Sequence, residues 1–484
     1  MQRKFVTNLA LIIVLNLLIK LPWVLVIDVA VQNAVELEMY GFYYAIFNVT
    51  FIFNFILDMG ITNFNNTNIS QNNHLLTKHL SSIILLRIML AIIFVLITTA
   101  GGLIIGYTAD MMKMLLAVIF NQVLISFILY LRSNIAGLHL FRTDSFISVL
   151  DRLIMIVICG TLLLKFNGPN EFDIRWYIYA QTTGYLITAI ITLSIVLKKA
   201  KLRKLSWRWP FFVMILKKSY PYAVLWLLMS SYNRIDSVML ERILPFRDGA
   251  HQAGVYASAA RILEASNMIA ILYAGLLLPI FARMIKLRQN IDEMVRLAFS
   301  LLVIPALVVS TCSYFYSWHI MDFLYKGNHI DESAAVFRIL MCCFVPISSS
   351  YIFGTLLTAN GNLKQLNFMA SAGMVINIVL NLILIPRYTA VGAAISSITT
   401  QLFTATAQIL MAQKTFGLHR NLKLIGNIIL FVSGAVVINL AVGFLGLNWV
   451  AGMIVAAAGC FALAFIMRLI SPRNIYRIVK YEES

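Results

Sequence analysis

Apolar residues occur along this chain in long unbroken runs rather than in an amphipathic rhythm. From Phe5 to Met467, stretches of about 20 residues with almost no charge follow one another, separated by short polar joints. At a rise of about 1.5 Å per residue, each run is long enough to cross a hydrocarbon layer of about 30 Å as a helix. The polar breaks place spans near 6–27, 41–61, 80–106, 112–131, 146–165, 174–197, 219–241, 254–281, 296–318, 334–358, 365–385, 390–413, 424–445 and 448–469. The pattern predicts an all-α polytopic membrane protein of about 14 transmembrane helices.

Composition supports lipid as the main solvent. The 484 residues are 61% hydrophobic and 12% charged, with a mean hydropathy of +0.86, and soluble domains carry roughly twice that charge. Little chain remains for a soluble catalytic domain. No Walker A, HExxH, GxSxG or DxD pattern occurs, so no enzyme, no catalytic residues and no cofactor are expected. The first run contains Lys20 and Pro22, lacks a small-x-small cleavage site, and reads as a retained span. Cys159, Cys312, Cys342, Cys343 and Cys460 all fall inside spans without metal-ligand spacing, which predicts packing and no metal site.

The net charge of +18 would suggest nucleic acid in a soluble protein. In a membrane protein its placement matters more. With the N-terminus inside, roughly two thirds of the 38 Lys and Arg fall on cytoplasmic segments, which predicts cytoplasmic N- and C-termini and no nucleic-acid partner. The most basic joint divides the chain. The expected organisation is an N-terminal lobe at 1–197 (six spans), a basic cytoplasmic interlobe segment at 198–218, a C-terminal lobe at 219–416 (six spans), and a final helix pair with its tail at 417–484. The basic joint also carries Trp207, Trp209, Phe211 and Phe212, and reads either as an anchor on anionic membrane lipid or as a specific binding segment. Gly41-x-Tyr43 and Gly254-x-Tyr256 open corresponding spans of the two halves, as parallel repeats would.

Charge inside lipid costs at least about 2.5 kcal/mol per residue, so such residues face protein or water. Arg234 and Asp236 in the seventh span, and Arg261 and Glu264 in the eighth, are expected at one depth and sum to zero charge. Lys20 in the first span and Arg87 in the third add positive charge, though each can snorkel to an interface. These six are the candidates for a substrate or coupling-ion cavity. A structural clasp is the competing reading of the four-residue group. Asp58 reads as a helix-ending residue, and Asn377 and Asn381, spaced i, i+4, as packing glue.

The stretches YNRIDSVMLERIL, AGVYASAARILEASNMIAILYAGLLLPIFARM and MVINIVLNLILIPRYTAVGAAISSITTQ resemble the polysaccharide-transport branch of the multidrug/oligosaccharidyl-lipid/polysaccharide exporter superfamily. The matching positions are Arg234 and Asp236, Gly254 and Tyr256, Asn377, Asn381 and Pro386, and Gly392, Ala393 and Ala394. The likeness is best over 219–405 and looser in the first half, through Gly41, Tyr43, Asp58 and Gly60.

It implies a Wzx-type flippase of the bacterial inner (cytoplasmic) membrane, with two MATE-like six-helix lobes around a central cavity and two C-terminal helices. Such a protein carries an undecaprenyl-pyrophosphate-linked oligosaccharide outward by alternating access for O-antigen or another surface polysaccharide. Its implied partners are that lipid-linked oligosaccharide, membrane lipid, and the polymerase and glycosyltransferases of the same pathway. The Asn-rich joint ITNFNNTNISQNN departs from the Arg or Lys usual there in the family. An ion-coupled drug or metabolite antiporter of the same fold is the alternative, with Asp236 or Glu264 holding the ion. A membrane polymerase or ligase needs a large external loop, and the joints here are short.

Overall fold

The computed structural model describes residues 14–62, 65, 69, 75–138, 140–166, 172–200, 209–327, 329–418 and 422–469. The two chain ends, the middle of the basic joint (201–208) and most of the Asn-rich joint lie outside the described residues. The chain separates into two compact units, Met1–Ala257 and Ser258–Ser484.

The first unit contains α1 (Val14–Ala34), α2 (Leu37–Asp58), α3 (Leu75–Ile105), α4 (Ala109–Gly137), α5 (Phe141–Lys165), α6 (Ile174–Lys199), α7 (Trp209–Ile243) and the opening turns of α8 (Phe246–Lys286). Its helices are inside out by soluble standards. Along α3, Ile88, Ile92, Leu96 and Leu103 form an exposed stripe, while Arg87 and Thr98 are buried. The deepest positions elsewhere include Asn48, Thr50, Asn121, Thr188 and the tyrosines Tyr40, Tyr43, Tyr130, Tyr177 and Tyr232. Polar groups share the interior with packed aliphatics such as Ile83, Leu86 and Leu90, and the outer faces stay aliphatic because the surrounding solvent is hydrocarbon. Packing runs α4 along α6, α2 along α7, and α5 along α6.

The second unit begins within α8 and continues with α9 (Asp292–Phe315), a short α10 (Ser317–Leu324), α11 (Ile330–Ala359), α12 (Leu363–Phe416), α13 (Leu422–Gly443) and α14 (Trp449–Ile466). The Ser310 hydroxyl of α9 donates to the Met341 carbonyl of α11 at 2.7 Å, tying the two together. Helices α13 and α14 pair closely, with Gly434 against Leu463 and Gly459 against Ile438. Gly452 of α14 lies under the Tyr316 hydroxyl at the end of α9, where a Cβ would approach to 2.9 Å.

Helix α12 is two spans in one. Thr389 breaks it with φ 49° and ψ −130°, three residues after Pro386. Proline lacks an N–H for the helix ladder, and the chain reverses so tightly that a Cβ on Gly392 would lie 2.4 Å from the Leu384 carbonyl oxygen. Ala393 and Ala394 are wholly buried directly after it. The Pro and Gly-Ala-Ala positions of the sequence motif are therefore the chemistry of this reversal.

Among the described residues, twelve helices are long and apolar enough to cross a membrane. Treating the two arms of α12 separately and adding α7 recovers the fourteen helices expected. The protein is all-α and polytopic.

Candidate functional site

The first helix bears the densest polar surroundings. Pro22 removes one backbone donor, and the turns Trp23–Asp28 that follow widen to π geometry. The helix nevertheless continues to Ala34, so Asp28 lies within it rather than just past its end, where the span boundary near 27 would put it. Asp28 is 2% exposed. It accepts hydrogen bonds from Tyr40 at 3.0 Å and Tyr177 at 2.6 Å. Trp23 stacks flat on Tyr177, with centroids 5.7 Å apart. Arg152 of α5 lies over the Trp23 and Tyr185 rings at 5.4 and 5.5 Å.

Lys20 sits on the same helix within electrostatic reach of Arg152, Asp151, Arg132 and Asp144. Arg132 grips Asp144 through two bonds of 2.8 and 3.2 Å, and Arg152 stands 3.8 Å from Asp151. Lys20 is thus a third basic side chain beside two Arg–Asp pairs. The grouping arises between helices of the fold, and the sequence pattern alone, which counts Arg132 and Arg152 among the cytoplasmic-side basic residues, does not reveal it.

Arg87 is placed differently. Its Nη1 donates to the Ser126 carbonyl and hydroxyl, both at 2.8 Å, and Nη2 donates to the Thr62 hydroxyl at 2.7 Å. It forms an ion pair with Asp58 and lies 4.8 Å from the Tyr130 ring centroid. Asp58 ends α2 just before Met59 and Gly60 turn left-handed, and it also accepts from the Thr62 amide at 3.2 Å. The Arg87 head group is thus held among partners of its own unit. Nearby, Asn65 of the Asn-rich joint is buried and donates to Ser133 and Asn134 at 2.8 and 3.0 Å.

Arg234 and Asp236 belong to the first unit. Arg234 donates to Asn48 at 3.0 Å and lies over the Phe51 ring at 4.4 Å. Asn48 in turn donates to Ser237 at 2.6 Å, joining α2 to α7. Asp236 is wholly buried and accepts from Tyr256 at 2.8 Å. The two Gly-x-Tyr segments meet here. A Cβ on Gly41 would lie 2.0 Å from the Ala250 carbonyl oxygen, and one on Gly254 would lie 2.5 Å from that of Leu37. Glycine permits the close crossing, and Tyr43 and Tyr256 reach polar partners in Gln181 and Asp236.

Arg261 and Glu264 belong to the second unit and pair on one face of α8 at 3.0 Å. Asn377 and Asn381 are both wholly buried, and Asn381 donates to Asn377 at 3.1 Å along their own helix.

These arrangements suit binding and conformational change in lipid. The family model for polysaccharide biosynthesis protein matches residues 5–285. Comparison with curated protein sequences finds no match. Among solved structures, the chain is similar to a lipid II flippase MurJ in an inward closed conformation, with TM-score 0.70 and 14% identity over 93% of this chain and 97% of that one. An inward-facing multidrug resistance MATE family transporter of the MOP superfamily aligns with TM-score 0.59 and 13% identity over 82% and 94%. A MOP superfamily transporter from Pyrococcus furiosus, described as having a binding pocket of reverse polarity, aligns with TM-score 0.52 and 12% identity over 86% and 96%. The shared architecture is the fold of that superfamily, and the match over more than half of its length shows that this chain belongs to the polysaccharide biosynthesis protein family.

Proposed function

We propose that the protein is a Wzx-type flippase, moving an undecaprenyl-pyrophosphate-linked oligosaccharide from the cytoplasmic to the outer leaflet by alternating access. The observation that carries this reading is Lys20, a third basic side chain beside the Arg132–Asp144 and Arg152–Asp151 pairs of spanning helices. Such surroundings attract a diphosphate and repel a cationic drug. Family membership supports polysaccharide biosynthesis as the setting, and the flippase neighbour supports a fold able to handle a lipid-linked substrate. Cytoplasmic termini, from the distribution of basic residues, orient the protein for outward transfer. Lobes of six helices each, followed by a helix pair, remain the proposed organisation. Arg234 and Arg261 are the proposed substrate contacts beyond Lys20.

An ion-coupled antiporter of the same fold is the second reading. It is favoured by Asp236, a wholly buried carboxylate with a tyrosine hydroxyl on it, as a cation or proton site would require. Vesicles containing the purified protein separate the two. The flippase reading expects glycosidase- or lectin-accessible transfer of a pyrophosphate-linked oligosaccharide, and no uptake of a cationic dye driven by a proton or sodium gradient. Dye uptake without transfer of the lipid-linked sugar overturns it.

A further inference from the structure

Helix α7 is 35 residues long, about 52 Å at 1.5 Å per residue, against a hydrocarbon layer of about 30 Å. Its longer uncharged stretch starts at Ser219, after Lys217 and Lys218, and setting that stretch in the hydrocarbon puts the opening turns in the headgroup layer. Phe212, 1% exposed, anchors those turns in the apolar cluster that also contains Val196 and Ala200 at the end of α6. This packing brings two charged helix ends to one edge of the unit, with Lys198 and Lys199 exposed on α6 and Lys217 exposed on α7.

The outer face of α7 has a defined composition. Trp209, Val213, Lys217 and Tyr220 recur at steps of four, four and three, which is one helix face. Trp209 is 56% and Tyr220 61% exposed. A shallow open groove there is lined by Trp209, Pro210, Val213, Met214 and Lys217.

We infer that this groove and the adjoining lysines form a docking surface for an anionic phospholipid. Lys217 meets the phosphate, Val213 and Met214 cover the first methylenes of an acyl chain, and Trp209 takes the polar boundary where indoles are favoured. Charge complementarity selects anionic over zwitterionic headgroups. From Lys198 to Ser219 the sequence has no Asp or Glu, and Lys201, Arg203, Lys204 and Arg208 fall between the two helix ends. The inference depends on membrane embedding and not on which substrate is exported, so its test is separate from transport.

The experiment is native mass spectrometry of the full chain in detergent, titrated with phosphatidylglycerol or with phosphatidylethanolamine of the same acyl chains. The wild-type protein should retain phosphatidylglycerol at least about tenfold more tightly. Lys217→Gln should lower that affinity about fivefold, the worth of one lysine near a charged surface. Lys198→Gln, Lys199→Gln and Lys217→Gln together should erase the preference. Trp209→Ala should weaken both lipids. Lys113, 78% exposed on α4, is the control, and Lys113→Gln should change nothing. Equal retention of the two lipids by the wild type overturns the proposal, as does an unchanged preference in Lys217→Gln at wild-type melting temperature. An equal loss in Lys113→Gln also overturns it, since the effect would then be net charge alone.

Discussion

Arg87 in α3 and Asp58 at the end of α2 form an ion pair, with the arginine side chain 5% and the aspartate 35% exposed. The pair closes the corner where α2 ends, and Ser126 of α4 and Thr62 complete its hydrogen bonds. Removing one partner of a fully buried pair costs about 3–5 kcal/mol, and the partial exposure of Asp58 makes the cost of losing Arg87 smaller than that. Arg87→Ala should therefore lower the melting temperature in detergent and the yield of folded protein. Arg87→Met combined with Asp58→Asn, which removes both charges, should recover most of the loss. A wild-type melting temperature for Arg87→Ala would contradict this account of the corner.

The crossing of α2 and α8 makes a second, purely steric prediction. Gly41→Ala and Gly254→Ala each drive a methyl into a backbone carbonyl, and overpacking of this kind costs about 1–3 kcal/mol. Gly160 in α5 has nothing within 4 Å of its would-be Cβ, so Gly160→Ala should change stability by less than about 1 kcal/mol. Thermal melts of the three variants check the difference. Equal melting temperatures would mean that the helices do not cross this closely.

Arg261 gives a functional prediction. Its partner Glu264 lies one turn along the same helix, and the two side chains are 12% and 28% exposed. An i, i+3 pair is worth only about 0.2–0.5 kcal/mol to its helix. Arg261→Ala should leave the amount of folded protein near normal while abolishing export of the lipid-linked sugar. Adding Glu264→Ala should not restore export. Normal export by folded Arg261→Ala protein would remove Arg261 from the proposed site.

Much of the architecture was legible because lipid imposes one rule, a run of about 20 apolar residues per crossing. The α12 reversal was readable from Pro386 and Gly392, whose backbone chemistry is local. The partnerships were not. Asp58 and Arg87 are 29 residues apart and their pairing follows from helix packing alone. Asp28 was hidden because the first run seemed to end at its charge, whereas the π turns carry the helix past it and α2 and α6 supply tyrosine donors. Arg132 and Arg152 counted only as cytoplasmic-side basic residues, and it is the fold that brings them within electrostatic reach of Lys20. The uninterrupted apolar residues Val29–Ala30–Val31 after Asp28 are the signal that a longer first helix was available.

Lys20 bears the central claim, that surplus positive charge in the first unit receives an anionic lipid-linked sugar. The most direct measurement is the rate of transfer of a pyrophosphate-linked oligosaccharide across vesicles containing wild-type, Lys20→Arg or Lys20→Gln protein at matched folded amounts. Losing one charge-assisted contact, worth about 1.5–3 kcal/mol, corresponds to a fall of at least about tenfold. The account predicts that loss for Lys20→Gln and substantial retention for Lys20→Arg. Equal transfer by Lys20→Gln and wild type would contradict it.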